Sequence, residues 1–227
     1  MDSLRRDLKA AVRRRIRTAR RRAADRPDAA AGRAREAQDI LRHGAPLVDL
    51  VRAAARTGRA PRIAAYHPTP AEADPLPLVR ELADAGAEIV LPVSPEGPER
   101  PGDLDWVRWD GLAQVSPSAA TGFGAEPEGP RLGADALAGA LLVLAPAVAV
   151  DVTGARIGHG AGYYDRALAR AGAEVLVVAV VHPEEVLPPG AVPTTPLDVP
   201  VHAVLTAQGL RTLRAHPALG DMIDGGA

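Results

Sequence analysis

The stretch AVAVDVTGARIGHGAGYYDRALAR, residues 147–170, decides the fold because it joins three kinds of local structure. It starts within an apolar run that predicts a strand over residues 141–150, and a helical pattern begins at Tyr163. Between the two lies a glycine-spaced loop over residues 158–162. This order is typical of phosphate sites, because glycine allows a close backbone approach and a helix start offers free N–H groups.

The spacing of this loop does not by itself identify a ligand. Many ordinary turns carry G-x-G-x-G, and the loop matches neither the Walker pattern nor the full dinucleotide fingerprint. Arg156 before the loop and Asp165 after it add an anion donor and a candidate metal ligand. On these residues alone, a nucleotide-phosphate site and a simple turn are equal alternatives.

The composition excludes several classes of site. The chain has 227 residues and no cysteine, so it has no disulfide, no thiolate nucleophile and no Cys-type zinc site. Its length suits a single α/β domain over residues 1–227. No apolar run reaches the length of a membrane span, so we expect a cytoplasmic protein with no membrane partner.

Positive charge is concentrated at the N-terminus, where residues 1–22 hold ten of the 27 lysine and arginine residues. Apolar spacing predicts a helix over residues 4–24 with basic outer faces. Such an arm can contact nucleic acid, anionic lipid or an anionic substrate, can be a transit peptide, or can simply be solvated. Since no nucleic-acid motif accompanies it, we expect no nucleic-acid partner. Lys9 is the only lysine. Either a compact ammonium is needed at this position, or the single lysine is there by chance.

The rest of the chain alternates between helical and strand patterns. Helices are predicted over residues 27–42, 46–56, 76–85 and 163–171, and strands over residues 62–66, 88–92, 141–150 and 175–181. Residues 94–120 are expected to form an excursion with one or two edge strands, and the residues from 213 a loose tail. The alternation predicts a largely parallel sheet covered on both faces, with ligand loops after Tyr66, Val150 and Val181 sharing one cleft.

The complete string from Arg156 to Arg166, RIGHGAGYYDR, resembles the signature of the 5-formyltetrahydrofolate cyclo-ligase family, also called methenyltetrahydrofolate synthetase. Other segments extend the resemblance over roughly residues 9–206. KAAVR at 9–13, followed by Arg20 seven residues after Arg13, resembles the family's Lys-x-x-Leu-Arg with a later arginine. YHPTPAEAD at 66–74 resembles its Tyr-x-x-x-x-x-Glu-x-Asp. GFGAEP at 122–127 resembles its Gly-Ile-x-Glu-Pro, where Phe123 lines the folate pocket or is an ordinary core residue.

The closing element of the family, His-Asp-x-x-hydrophobic-Asp-x-hydrophobic-hydrophobic-Thr, is only partly matched. Asp198 and Thr206 agree with it, whereas Leu197 replaces its histidine and His202 its second aspartate. These departures affect the expected local hydrogen bonds but not the metal ligand, which in the family is the first aspartate.

The resemblance implies a fold, a reaction and partners. The fold would be a single-domain, three-layer Rossmann-like α/β fold with a largely parallel central sheet. The reaction would be the ATP- and Mg²⁺-dependent closure of 5-formyltetrahydrofolate to 5,10-methenyltetrahydrofolate, with release of ADP and phosphate after phosphorylation of the formyl oxygen. The protein would be a monomer or a weak oligomer, and its folate could carry a polyglutamate tail.

The resemblance also implies a role for individual residues. It assigns ATP binding to Lys9, Arg13, Arg156, Gly158, His159, Gly160, Ala161, Gly162, Tyr163 and Tyr164. It assigns folate binding to His67, Glu72, Glu126, His159, Gly160, Ala161, Gly162 and Tyr163. Lys9, Arg156 and Tyr163 are the expected catalytic residues, and Asp165 and Asp198 the expected Mg²⁺ ligands.

Two other hypotheses remain at this point. One is a family-like nucleotide-binding protein that acts on another substrate or on none. The other is a binding protein without turnover whose basic helix contacts nucleic acid, and salt-sensitive binding to arbitrary duplex DNA without ATPase activity would favour it.

Overall fold

The structure is a computed structural model that describes residues 2–95, 102–111, 115–117 and 124–223. Its α-helices are α1 (Asp2–Ala24), α2 (Ala29–His43), α3 (Ala45–Ala55), α4 (Leu76–Asp84), α5 (Tyr163–Ala171) and α6 (Pro217–Ile223). Its strands are β1 (Arg62–Ala64), β2 (Glu88–Val93), β3 (Asp105–Arg108), β4 (Val115–Pro117), β5 (Ala125–Pro127), β6 (Leu142–Pro146), β7 (Ala149–Asp151), β8 (Arg156–Ile157), β9 (Leu176–Val180), β10 (Val186–Leu187), β11 (Ala203–Thr206) and β12 (Gly209–Thr212). Phe123 lies outside the described residues.

The main sheet has seven strands in the order β12-β11-β9-β6-β1-β2-β3. The five inner strands are parallel, and β12 and β3 are antiparallel edges. The predicted largely parallel sheet is therefore confirmed. The chain runs from β1 to β2 on one side and later from β6 to β9 on the other, so the strand order reverses between β1 and β6. Ligands in open parallel sheets bind beyond the carboxyl ends of strands at such a point.

Helices cover both faces of the main sheet. One face of the inner strands packs against buried residues of α2, α3 and α4, among them Ile40, Leu47 and Leu78. The other face packs against α5 through side chains such as Tyr164 and Leu168. The strands need apolar side chains on both faces because helices cover both, which explains their nearly continuous Val, Leu, Ile and Ala content.

The strand predicted over residues 141–150 is wrong in one respect, because the chain leaves the main sheet in the middle of it. Leu142–Pro146 forms β6, whereas Ala149–Asp151 forms β7 in a separate small sheet of order β10-β7-β8. Proline has no N–H for a sheet ladder, so Pro146 is a natural end for a central strand. Two residues later the N–H of Val148 already bonds to the carbonyl of Ile157 instead.

The two ends of the chain carry helices. The predicted N-terminal basic helix is α1, which extends from Asp2 to Ala24. The segment expected as a loose tail contains the helix Pro217–Ile223, and Leu219 within it is buried in the core. The assignment of residues 1–227 to one domain stays a prediction. No helix within the described ranges combines the length and apolarity needed to cross a membrane.

Candidate functional site

A cavity of about 410 Å³ lies beyond the carboxyl end of β6, next to the reversal in strand order. The glycine loop, the start of α5, one side of α1 and the segment around Asp198 form its wall. The residues predicted to bind ATP or metal all line it, namely Lys9, Arg13, Arg156, Gly158, His159, Gly160, Ala161, Gly162, Tyr163, Tyr164, Asp165 and Asp198. The structure therefore brings together residues that lie far apart in the sequence.

The glycine loop turns directly into α5 at the cavity wall. Gly160 has φ +123° and Gly162 has φ +69°, values that side-chain-bearing residues rarely adopt. Gly162 is the N-cap residue of α5, so the free N–H groups of the first helical turn lie at the cavity. Loop and helix start thus have the backbone geometry that suits an anionic ligand.

Helix α1 closes the other side of the cavity and holds the glycine loop by side-chain contacts. Nε of Arg13 donates to the carbonyl oxygen of Gly158 at 2.8 Å, and Nη2 of Arg17 donates to that of His159 at 3.3 Å. The sequence pattern did predict Arg13 at the site, but as a phosphate ligand. Here its guanidinium also binds the loop itself.

Lys9 and Asp198 form an ion pair within the cavity. Nζ of Lys9 lies 2.7 Å from each carboxylate oxygen of Asp198. The hydroxyl of Thr195 donates to Oδ2 at 2.9 Å. Burial alone would raise the pKa of Asp198, but the hydrogen bonds from Lys9 and Thr195 outweigh burial and lower that pKa below its ordinary value. Asp198 is therefore a carboxylate at neutral pH.

Asp165 faces the same cavity from the first turn of α5. Its Oδ1 accepts a hydrogen bond from Nη2 of Arg156 at 2.6 Å and another from the backbone N–H of Val199 at 3.3 Å. Arg156 is almost fully buried, and its Nε has no hydrogen-bond partner among the described residues. The hydroxyl of Tyr164 is also buried without a hydrogen-bond partner among the described residues. A buried donor without an acceptor is costly, and a ligand bound in this cavity would be able to supply one.

The residues that could hold a metal are these two aspartates. Within the described part of the chain, no group of three or more His, Cys, Asp or Glu side chains is arranged to hold a metal ion. Such a pair still fits Mg²⁺, which is commonly held by one or two carboxylates together with substrate phosphates and water.

Glu72 is buried beside the glycine loop rather than in the cavity. Nε2 of His159 lies 2.9 Å from Oε1 of Glu72 and donates to it, because a carboxylate can only accept. The backbone N–H of Thr69 donates to Oε2 at 2.8 Å. Burial would raise the pKa of Glu72, but these hydrogen bonds and the nearby Arg20 lower it. Glu72 is therefore an ionised carboxylate that lies against the imidazole of His159.

The remaining residues predicted to bind folate lie outside the 410 Å³ cavity. His67 pairs with Ala125 of β5 through the backbone, and Glu126 of β5 accepts a hydrogen bond from the backbone N–H of Ser94 at 3.0 Å. The loop after Val181 reaches a second cavity, of about 520 Å³, where Glu72 and His182 both form part of the wall. In place of the single cleft predicted for the three loops, the structure has two cavities, and the His159–Glu72 pair lies between them, with His159 lining the first and Glu72 the second.

Sequence analysis missed several contributors to the site. Arg6 and Pro146 line the cavity, and Thr195 holds Asp198. These three carry no local pattern that would single them out. Arg20 was noted in the sequence as the later arginine of the N-terminal element, seven residues or about two helical turns after Arg13, and the structure buries it behind the glycine loop.

Comparisons with known proteins identify the family of the chain. The model of the 5-formyltetrahydrofolate cyclo-ligase family matches residues 5–207. A 5-formyltetrahydrofolate cyclo-ligase from Mycolicibacterium smegmatis is 38% identical over 155 residues, which are 67% of this chain and 77% of the relative. A mitochondrial 5-formyltetrahydrofolate cyclo-ligase from Arabidopsis thaliana is 35% identical over 77 residues, which are 30% of this chain and 28% of that protein.

Two solved structures share the fold. The NMR structure of 5,10-methenyltetrahydrofolate synthetase from Aquifex aeolicus has a TM-score of 0.62 and 25% identity, and covers 92% of this chain and 94% of its own. A 5,10-methenyltetrahydrofolate synthetase from Mycoplasma pneumoniae has a TM-score of 0.59 at 17% identity, with 88% and 98% covered. From the extent of the family match and the identity to the mycobacterial relative, the chain belongs to the 5-formyltetrahydrofolate cyclo-ligase family.

Proposed function

We propose that this protein uses MgATP to convert 5-formyltetrahydrofolate to 5,10-methenyltetrahydrofolate, with release of ADP and phosphate. Family membership supports the reaction. The observation that carries the proposal is the cavity, where four lysine and arginine side chains, a glycine loop and two carboxylates face one another at the reversal in strand order. A Rossmann-like binding mode would use such a place for the nucleotide.

The reaction requires the protein to position the substrates and to neutralise their charge, and it needs no nucleophile from the protein. The formyl oxygen attacks the γ-phosphorus of ATP, and the bond to the ADP oxygen breaks. N10 of the folate then attacks the activated carbon and loses its proton to solvent, and the C–O bond breaks to release phosphate. Phosphoryl transfer of this kind is catalysed chiefly by alignment and by neutralisation of charge. The absence of cysteine from the chain is compatible with this chemistry.

The cavity residues that the resemblance singled out have distinct roles in this proposal. Lys9, Arg13 and Arg156 neutralise the ATP phosphates, and the glycine loop with the start of α5 offers backbone N–H groups to them. Asp165 and Asp198 would hold Mg²⁺, which supplies charge neutralisation on the phosphates when it is bound. The unpaired Nε of Arg156 would gain a phosphate oxygen as its acceptor.

The folate would bind on the side of the glycine loop that faces Glu72. A pterin presents a guanidine-like edge of N–H donors, for which an ionised carboxylate is a natural partner. Glu72 is only 3% exposed and is bonded to His159, so the imidazole must turn aside before Glu72 can accept those donors. Tyr163 directly follows this loop as the first residue of α5, and His67 and Glu126 would extend the folate site towards β5.

One assay tests the proposed function. Purified protein is mixed with 5-formyltetrahydrofolate and MgATP, and the absorbance of 5,10-methenyltetrahydrofolate is followed. Product formation that requires both substrates supports the proposal. Nucleotide binding without this product would favour a family-like protein with another substrate. Salt-sensitive binding to duplex DNA without ATPase activity would favour a binding protein instead.

We expect Glu72→Gln to raise the KM for 5-formyltetrahydrofolate far more than the KM for ATP. Glutamine keeps the size of the side chain but removes the charge that meets the pterin donors, an effect on the order of tenfold or more for a charge-assisted hydrogen bond. Steady-state kinetics with each substrate varied in turn measure both constants. Glu81→Gln on the exposed face of α4 is a matched control. Equal changes in both constants would mean that Glu72 has only a structural role.

The proposal includes three statements on cellular context. The protein is expected in the cytoplasm and as a monomer or weak oligomer, without nucleic acid or membrane as a partner. Fractionation and sedimentation measurements test the first two, and binding assays with duplex DNA and anionic vesicles test the last.

A further inference from the structure

Helix α1 carries Lys9 and Arg13 into the cavity, yet few of its side chains are buried against the rest of the protein. Over residues 4–24 its buried side chains are Ile16, 4% exposed, and Arg20, 7% exposed. Ile16 packs against Val148, Ile157 and their neighbours beside the small sheet. Apolar contact is not directional, so one buried isoleucine leaves the rotation and sliding of a helix of 23 residues weakly defined.

Arg20 supplies the buried directional contacts of α1, in addition to those that Lys9, Arg13 and Arg17 make at the cavity and the glycine loop. Its Nε donates to Oε1 of Glu185 at 2.6 Å and its Nη2 to Oε2 at 2.8 Å, a bidentate pair. Nη2 also donates to the carbonyl oxygen of Ala147 at 2.9 Å. Ala147 follows Pro146, which lines the cavity at the end of β6. A guanidinium held at three oxygens permits little rotation, so Arg20 joins α1 to the sheet at a defined angle.

The spacing of Lys9, Arg13 and Arg20 makes this angle matter for the cavity. Arg13 and Lys9 lie seven and eleven residues before Arg20, close to two and three helical turns, so all three project from one side of α1. A slip of one residue would rotate this side by about 100°. Nζ of Lys9 would then leave the oxygens of Asp198, and Arg13 would leave the carbonyl of Gly158.

Arg20 also approaches the glycine loop from behind. Its Nη1 lies 4.0 Å from Oε1 of Glu72, the same oxygen that accepts from His159. A continuous chain of charged side chains therefore runs from Glu185 through Arg20 and Glu72 to the loop. Together with Arg13 on the carbonyl of Gly158, this chain connects α1 to the loop at two neighbouring residues, Gly158 and His159.

We propose that Arg20 is a positioning residue of the nucleotide site: anchored on Glu185 and Ala147, it fixes the register of α1 and so places Lys9 and Arg13 at the phosphates. This inference rests on the proposed function, because it assumes that the cavity binds ATP. Buried ion pairs are best attested in such registry roles, where they specify one arrangement and add little stability.

Two variants distinguish an effect of Arg20 on the position of α1 from an effect on the stability of the protein. Arg20→Met removes the anchor and leaves the buried carboxylate of Glu185 without its guanidinium, so loss of thermal stability is expected as well. The double variant Arg20→Met/Glu185→Gln removes that unpaired charge. We expect it to regain most of the parent's thermal midpoint, while its Kd for MgADP and its KM for MgATP stay on the order of tenfold above the parent's, in line with losses of supporting contacts elsewhere.

Two controls complete the experiment. Ile16→Val trims the apolar docking contact of α1 and should lower the thermal midpoint without raising the Kd for MgADP. Arg20→Lys keeps a positive charge beside Glu185 but not the bidentate fork. It tests the positioning role if the double variant does not fold. It should fold and still bind MgADP more weakly than the parent, as measured by calorimetry.

The outcomes distinguish the inference from the function on which it rests. A double variant, or Arg20→Lys, that binds MgADP as tightly as the parent would overturn the positioning role alone. The positioning role would also be overturned if Ile16→Val and Arg20→Met had the same thermal midpoint and lost the same affinity for MgADP. A parent protein that fails to bind MgADP would overturn the proposed function and this inference with it.

Discussion

Asp165→Asn is expected to lower turnover by on the order of 10² while the fold is retained, because even supporting contacts of a metal site are worth 10- to 100-fold. Asparagine keeps an oxygen that can accept from Nη2 of Arg156 and from the N–H of Val199, so the hydrogen bonds at the start of α5 survive. It lacks the negative charge. The proposed Mg²⁺ would then have Asp198 as its sole carboxylate.

The Mg²⁺ dependence of the rate distinguishes a metal ligand from a helix-terminal charge. If Asp165 is a ligand, the rate of Asp165→Asn at fixed ATP should saturate at a higher Mg²⁺ concentration than that of the parent. If Asp165 only interacts with the N-terminus of α5, the loss is limited to a few tenths to about 1 kcal/mol of stability. A near-normal rate with a normal Mg²⁺ dependence would refute the ligand role.

A matched control removes another aspartate that pairs with an arginine. Asp135 is 77% exposed and pairs with Arg170. Asp135→Asn should leave rate and Mg²⁺ dependence within about twofold of the parent, since exposed ion pairs contribute little. Thermal unfolding of both variants shows whether either change acts through stability.

The local sequence pattern predicted those helices and strands whose formation depends on residues close together in the sequence. The predicted helix over residues 163–171 has the bounds of α5, because a glycine stands at each end and apolar residues recur on one face. The apolar strands were found for the same reason, since a strand covered on both faces has an unbroken apolar run. The resemblance added the residues of the cavity, which periodicity alone cannot select.

The missed features depend on contacts between distant residues. Lys9 and Asp198 are 189 residues apart, and nothing in either neighbourhood indicates that one carboxylate takes both a lysine and Thr195. His159 covers Glu72 only because the glycine loop passes over the loop after β1. The strand end at Pro146 could have been predicted from the missing N–H, but the apolar residues that follow it concealed the break.

Substitution of Lys9 should have the largest effect on catalysis. Lys9→Met removes an ammonium that would meet charge on the transferred phosphate, and loss of one such donor costs on the order of 10²–10³ in turnover. The structure adds a second consequence. Lys9 helps to lower the pKa of Asp198, so its loss also raises the pKa of a proposed Mg²⁺ ligand. Both effects act in the same direction.

Lys9→Arg tests whether charge alone is sufficient. An arginine at this position keeps the positive charge, but its planar fork matches the two oxygens of Asp198 and would be held there in bidentate fashion. An ammonium is compact and can contact a carboxylate and a phosphate oxygen together. We therefore expect Lys9→Arg to recover only part of the rate, with a KM for MgATP above the parent's.

Steady-state rates of methenyltetrahydrofolate formation at saturating and limiting MgATP decide the role of Lys9. Arg14→Met, on the exposed side of the same helix, is the control and should stay close to the parent rate. If Lys9 is only a solvated base, both Lys9 variants will stay within about threefold of the parent, far below the effect of a lost transition-state donor. In that case α1 is scaffold, and the ion pair with Asp198 merely holds the helix against the cavity wall.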